Sequence, residues 1–354
     1  AFVLDPTSPN YTSDWGGAID TGLFDYRIAF NSATKTFAIV SAPDNEALEY
    51  PYLGSAASEV WYLTVSPVQP DLSGENDATK RRGVWMKAAG DWARRDASQT
   101  YTSAGTSFTF NTSHDQDTWT IMAGADLFSS EDGKWAFGLS GGYVSSDVDF
   151  RASPSTATMD GAVLGAYWTY QNAAFHLDGV VNANVLKLKF AQNLPSLASN
   201  RANVNSYGAR VEGGWRWGQE SGFIEPLFSV SFVSTSLGDL AVPGGVAAID
   251  NVTSFRGGLG AKAGGSTTTS SYRVRGSVTL QGWAEFDGDV SARLTNPGTA
   301  LVVTDEADEA WGEVSASVDI LALTGGLSAY VTGGYRFGSD RTGANASVGI
   351  RAVW

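Results

Sequence analysis

From about residue 83 to the end, apolar and polar positions alternate with a period of two. In Asn205 to Trp217, one face carries Tyr207, Ala209, Val211, Gly213, Trp215 and Trp217. The other carries Ser206, Gly208, Arg210, Glu212, Gly214 and Arg216. A strand sends successive side chains to opposite faces, so this segment has an apolar, aromatic face and a charged one. Tyr272 to Asp287 repeats the pattern, with Tyr272, Val274, Val278, Leu280, Ala284 and Phe286 opposing Arg273, Arg275, Ser277, Thr279, Gln281, Glu285 and Asp287. Such a run is long beside the roughly 5–6 residues of an ordinary strand. The alternation predicts twelve strands, near 83–97, 116–129, 134–147, 158–170, 173–190, 203–217, 222–237, 252–265, 271–287, 309–321, 326–338 and 344–354.

The breaks between these segments are of two kinds. Glu131 to Lys134, Gln171 to Ala173, Gly218 to Gly222, Ser266 to Ser271 and Leu323 to Gly325 are short. Asp147 to Thr158, Ala191 to Asn203, Gly238 to Asn251 and Gly288 to Asp308 are longer and are expected to be polar loops. Short and long breaks in alternation suit a closed transmembrane barrel, with turns at one end and loops at the other.

The first 82 residues follow another pattern. Phe24, Tyr26, Ile28 and Phe30 share one face of a segment that pairs, across a polar break, with Thr36 to Ser41 as a hairpin. Pro51 then opens a helical stretch, 53–65, with Leu53, Ala56, Ala57, Val60 and Thr64 at spacings of three and four, stopped by Pro67. A Pro/Gly-rich linker runs from Pro67 to Gly74. The organisation expected is a β segment (1–50), a helix and linker (51–82) and a barrel (83–354).

Composition narrows the class. Cysteine is absent, which excludes a disulfide framework, a zinc ribbon and a thiol nucleophile. The net charge of −14, without a basic cluster, argues against a nucleic-acid partner. Glycine is 41 of 354 residues and charged residues are 17%, against about 7% and about 25% in soluble domains. No apolar run is long enough for a transmembrane helix, which says nothing against strands. The opening Ala1 to Asp5, lacking Met and a basic start, is expected to belong to a processed or truncated fragment.

The expected fold is therefore all-β: a 12-stranded antiparallel transmembrane β-barrel with the helix in its lumen. Trp119, Trp135, Tyr143, Trp168, Trp215, Trp217, Tyr272 and Tyr335 suit aromatic girdles at the membrane interfaces. The alternation assigns Lys87, Asp91, Asp126, Asp178, Arg210, Glu212, Arg216, Glu225, Arg256, Lys262, Arg273, Arg275, Glu285, Asp287, Glu313, Arg336 and Arg351 to the lumen. So many charges need a wet or mutually paired setting. Small inward residues such as Gly138, Gly142, Gly214 and Gly258 make room for a helix about 10 Å across.

Signals of catalysis are weak. Gly138-Leu139-Ser140-Gly141-Gly142 matches G-x-S-x-G but lies inside an alternating strand, not at a strand–turn–helix elbow. His176 and Asp178 share a face and are expected to hydrogen-bond in the lumen. His114-Asp115 is expected to be solvated, as is the acidic run Asp305 to Glu309, with weak cation binding as the alternative for the latter. With two histidines and no cysteine, neither cofactor nor metal is expected.

Several segments, in order, resemble the monomeric type Va autotransporters, the self-secreting proteins of Gram-negative bacteria. Gly22 to Arg27 followed by Ser41-Ala42-Pro43 is similar to the end of a passenger's autochaperone segment. The helix with Trp61 is similar to the pore-threading helix. Gly83-Val84-Trp85, Gly124 to Leu127, Phe223 to Pro226, Phe255 to Gly260 and Gly349 to Trp354 are similar to the first, second, seventh, eighth and last barrel strands. The resemblance implies an outer-membrane translocator that passes its own passenger to the surface, anchors it, and is then plugged by its helix. It also implies membrane lipid and lipopolysaccharide, the barrel-assembly machinery and the passenger as partners of a monomer. The terminal strand, with Val348, Ile350 and Trp354, would be the assembly signal. Some relatives cut their own linker at paired asparagines; this linker offers only Asn76-Asp77, so self-cleavage is not carried over. The open alternatives are a general outer-membrane channel, and a surface adhesin or enzyme whose active part precedes this chain.

Overall fold

The structure, a computed structural model, describes residues 19–20, 23–31, 35–65, 82–103, 106–172, 174–192, 200–296, 299–307 and 309–354. Twelve long antiparallel strands run through the described residues: β1 (Gly83–Arg95), β2 (His114–Ser129), β3 (Trp135–Phe150), β4 (Thr156–Gln171), β5 (Phe175–Ala191) and β6 (Asn200–Trp215), then β7 (Gly222–Leu237), β8 (Val252–Thr268), β9 (Tyr272–Asp287), β10 (Ala310–Ala322), β11 (Leu327–Gly338) and β12 (Arg341–Val353). Each pairs with its neighbours in sequence, and β12 returns to pair with β1, Ile350 opposite Met86 and Val348 opposite Ala88. The sheet is closed. Hydrocarbon offers no hydrogen-bond partner, so a spanning sheet needs this closure to satisfy its edge N–H and C=O groups.

The outward face is apolar. Trp92, Trp119, Tyr143, Tyr207 and Tyr335 lie toward one end of the barrel, and Trp135, Trp215, Trp217 and Tyr272 toward the other, all substantially exposed. Trp168 is half-buried beside Trp135 (6.0 Å between ring centres). On β3, the eight residue steps from Trp135 to Tyr143 correspond to about 20 Å along the barrel axis at the usual rise and tilt. That separation suits an apolar band bounded by two girdles.

The connections differ from the expected alternation. At the turn end they are short throughout: 130–134, 172–174, 220–221, 269–271 and 323–326. At the loop end, β3 and β4 continue to Phe150 and from Thr156, so the loop expected over 147–158 shrinks to 151–155, and β11 joins β12 through 339–340. The stretches 238–251 and 288–308 are not polar loops. They contain Leu240–Val242, Gly245–Ile249, Val290–Asn296 and Thr299–Asp305, which pair into one four-stranded sheet across the mouth. Its buried Leu240, Val242, Ile249, Val290, Leu294 and Val303 alternate with more exposed residues such as Ala241, Ala248, Ser291, Arg293 and Val302. These runs are apolar but short, set within stretches rich in Gly, Pro and acids, and they bury one face.

The helix α1 (Tyr50–Thr64) starts with Pro51 in its first turn, where a missing N–H costs nothing. It is buried nearly all round because the barrel encloses it. Before it, Phe24–Asn31 pairs with Thr36–Pro43. The side chains of Ile28 and Phe30, residues 1–18 and the linker 66–81, with Asn76-Asp77, lie outside the described residues.

The closing seam is pinned from inside. Arg351 of β12 reaches past β1 to Asp126 of β2, both side chains buried, and the Tyr167 hydroxyl of β4 donates to the same carboxylate (2.7 Å). Replacing Asp126 with Ala leaves a buried guanidinium facing no carboxylate, a loss of about 3–5 kcal/mol. In semi-native gels, Asp126→Ala should lower the temperature at which the compact barrel unfolds, and adding Arg351→Met should restore most of the loss.

Candidate functional site: the plugged lumen

The helix enters from the loop end. The Tyr50 hydroxyl donates to Gln192 Oε1 (2.8 Å), just beyond β5, and Ser55 hydrogen-bonds Asp305 of the mouth sheet. Gly54 lies so close to that sheet and to the start of β8 that a Cβ would stand 2.7 Å from Val290 and 2.9 Å from Val252. The other end of the helix sits at mid-barrel. Trp61 Nε1–H donates to the Asn182 carbonyl (3.2 Å), and a Cβ on Gly208 would lie 2.7 Å from the Trp61 ring. Glycine at 208 is therefore the seat of that indole.

Glu59 is the only charged residue of the helix. It faces three arginines from three strands: Arg256 of β8, Arg341 of β12 (2.9 Å) and Arg336 of β11 (3.8 Å). Arg256 also binds Glu285 (2.5 Å) and stacks over the Tyr62 ring, its guanidinium 3.6 Å from the centroid. Arg336 binds Asp91 (2.5 Å). Through Arg336 and Asp91 the cluster ties the helix to both sides of the closing seam by charge-assisted bonds between largely buried side chains.

The other sequence-assigned charges, Asp287 excepted, also lie on inward faces. Arg210 pairs with Glu212 (2.6 Å), which accepts from Ser229 (2.7 Å). Glu313 accepts from Trp283 Nε1 (3.1 Å) and from Asn345 (3.1 Å). Lys87 is buried at mid-barrel. Toward the turn end, Glu225 gathers Arg216 (2.7 Å), Lys262 (3.6 Å) and His176 (3.4 Å), and His176 lies 3.9 Å from Asp178. Arg275 is buried opposite Asp319, and Arg273 reaches Glu220 (3.4 Å) at the rim. Asp287, beyond a register shift between β8 and β9, is exposed. Val348, Ile350 and Trp354 point outward, and the Trp354 N–H donates to the Arg82 carbonyl (3.0 Å). Below the helix a cavity of about 290 Å³ remains, lined by Tyr62, Arg210, Glu212 and Arg275 among others.

Two residues expected in solvent are buried. His114 packs against the rings of Tyr52 (5.7 Å) and Phe150 (5.6 Å) because β2 begins there, while Asp115 stays near the surface with Arg94 (3.1 Å). Asp305, the first acid of the run read as a solvated loop, ends a strand of the mouth sheet and pairs with Arg95 (2.7 Å). Gly138 to Gly142 lies within β3, with no elbow. Sequence reasoning missed Glu59, Arg341 and the stacked inward pair Trp283 and Trp311 (6.3 Å). A lone acid in an uncharged helix bound for an arginine-rich lumen was the available signal for the first.

Before the helix, Glu49 is fully buried. Ser153 donates to one carboxylate oxygen, and the other has no partner among the described residues. Burial pushes this carboxyl from its ordinary 4.5 up to about 7, against the hydrogen bond from Ser153, with Glu46 and Asp44 adding to the rise. A raised folded-state value means that docking is favoured below the ordinary value and weakens as pH climbs toward about 7. Hydrogen exchange over 45–53, corrected for the intrinsic rate, should show protection falling between pH 5 and pH 8, and Glu49→Gln should flatten that dependence. Independently, Glu59→Gln leaves three arginines facing a neutral amide. It should loosen the helix by about 3–5 kcal/mol, read as lost exchange protection over 53–64 while the barrel amides stay protected.

The family model described as "Autotransporter beta-domain" matches residues 84–334. Among solved structures, the transport unit of the autotransporter AIDA-I from Escherichia coli is similar at 14% identity and a TM-score of 0.63, covering 86% of this chain and 99% of that one. The β-domain of the Bordetella autotransporter BrkA matches at 18% identity and 0.59, covering 77% and 99%. The translocator domain of NalP from Neisseria meningitidis matches at 12% and 0.58, covering 87% and 99%. These likenesses concern the fold; the family match extends over most of the chain and over eleven of its twelve strands. The chain belongs to the autotransporter β-domain family, the outer-membrane translocator barrels of Gram-negative type V secretion.

Proposed function

We propose that this barrel carries its own N-terminal passenger through the lumen to the cell surface, then holds it there with α1 as the plug. One observation supports this most. Tyr50 is at the loop end, Thr64 is at mid-barrel, and β1 starts at the turn end, so the chain threads the barrel. A polypeptide in that state has crossed the lumen once. A general channel gains nothing from such threading, nor from a helix latched by Glu59.

In this reading the loop end faces outward and the turn end the periplasm. Residues 1–49 are at the surface, where the hairpin with Phe24 and Tyr26 offers apolar area for passenger folding. Folding outside disfavours back-sliding without ATP. The outward stripe Val348, Ile350 and Trp354 beside the closing edge is the contact for the barrel-assembly machinery. Neither cofactor nor catalytic group is assigned to the barrel.

Protease added to intact cells should cut within 1–43 and spare the turns 130–134 and 269–271. Cleavage at those turns overturns the orientation. Deleting Trp354 should reduce insertion and leave degradation products in the periplasm; normal insertion removes it as a recognition element.

A further inference from the structure

Three cations stand together on the outward face of the barrel near its loop end. Lys187 and Lys189 of β5 and Arg201 of β6 are exposed, while Leu186, Leu188 and Phe190 between and beside them are buried inside. Lys189 lies directly opposite Arg201, and Lys187 is one rung nearer the apolar band marked by Val181, Val185 and Tyr207. Like charges placed opposite each other on a sheet are destabilising.

No ion pair offsets this. Among the described residues none of the three has an ion pair or side-chain hydrogen bond, whereas the outward Arg94 is paired with Asp115 (3.1 Å). The connection from β5 to β6, residues 192–199, contains no acid. The ladder between β6 and β7 ends at Val204–Leu237, short of Arg201, and the exposed Asp239 that follows β7 forms no ion pair with it. On β4, Asp160 lies level with Lys187, but it accepts from Tyr143 (3.2 Å) and is not within ion-pair distance of the lysine. In a chain of net charge −14, three cations without an ion pair at one place on the outer wall are a marked asymmetry.

We propose that Lys187, Lys189 and Arg201 bind the phosphorylated headgroup of a glycolipid, lipopolysaccharide, in the outer leaflet. Two steps past Val185 along a tilted strand is about 5 Å and four steps about 10 Å, which puts the cations just beyond the hydrocarbon. Arg201 presents a planar fork suited to a phosphate and Lys189 a point charge beside it. Lys187, diagonal to Arg201 at roughly 7–8 Å between backbones, reaches a second phosphate. The buried Leu188 and Phe190 keep β5 fixed, so the site is preformed. The choice of leaflet rests on the orientation proposed above; the phosphate recognition does not.

The test uses the full chain, purified folded in detergent, titrated with bisphosphoryl lipid A, monophosphoryl lipid A and phosphatidylglycerol. Bisphosphoryl lipid A should bind best, and K187Q/K189Q/R201Q should weaken it about a hundredfold, at roughly 1 kcal/mol per cation. K187R/K189R/R201K should retain it. Heat-modifiability reports folding, and the single variants K189Q and R201Q replace the triple if it fails to fold. Unchanged binding in the variants overturns the proposal, as does equal binding of phosphatidylglycerol, which marks a general anionic surface. If whole-cell proteolysis reverses the orientation while this titration succeeds, the phosphate site stands and only the leaflet assignment falls.

Discussion

The need to pair every backbone amide inside hydrocarbon governs this structure. A sheet satisfies it by closing, and here closure depends on one seam, β12 against β1. Closure has a second effect. It creates an interior that must be filled or wetted, and the inward faces of twelve strands are charged. The Arg351–Asp126 pair crosses the seam directly, and Arg336, which faces Glu59, crosses it to Asp91 of β1. The same interactions that hold the ring shut therefore hold the helix in place. Removing the helix would expose Arg256, Arg336 and Arg341 to the lumen without their shared carboxylate.

The mouth is built differently. There the helix meets apolar surface: Gly54 against Val290 and Val252, and Leu53 within a core that includes Leu240, Ile249 and Leu294. The upper half of the plug is thus a small hydrophobic core made by two barrel connections folding over the helix. Only the lower half rests on ion pairs, above the remaining cavity. Burial of Glu49 at the top adds a proton-dependent element to an otherwise apolar contact.

The sequence made the barrel legible because lipid on one side and a polar lumen on the other impose a strict period of two over long runs. Strand number, lumen-facing charges such as Arg256 and Glu225, and the helix near 53–65 all follow from that period and from Pro51 and Pro67. The mouth was less legible. Runs such as Leu240–Val242 and Thr299–Asp305 are too short for a period to stand out, and their burial depends on a helix distant in sequence. His114 and Asp305 were misplaced for the same reason: their partners, Tyr52 and Arg95, come from elements far along the chain. Glu59 is not marked by the apolar spacing of its helix, and its partners come from strands 197 to 282 residues away.

The central claim is that α1 occupies and occludes the lumen of a threaded barrel. Single-channel recording in planar bilayers tests it most directly, comparing the full chain with a chain beginning at residue 66. The shortened barrel should fold and conduct several-fold more than the full chain, in long, stable openings. Equal conductance from the two, with both barrels folded, would contradict the account.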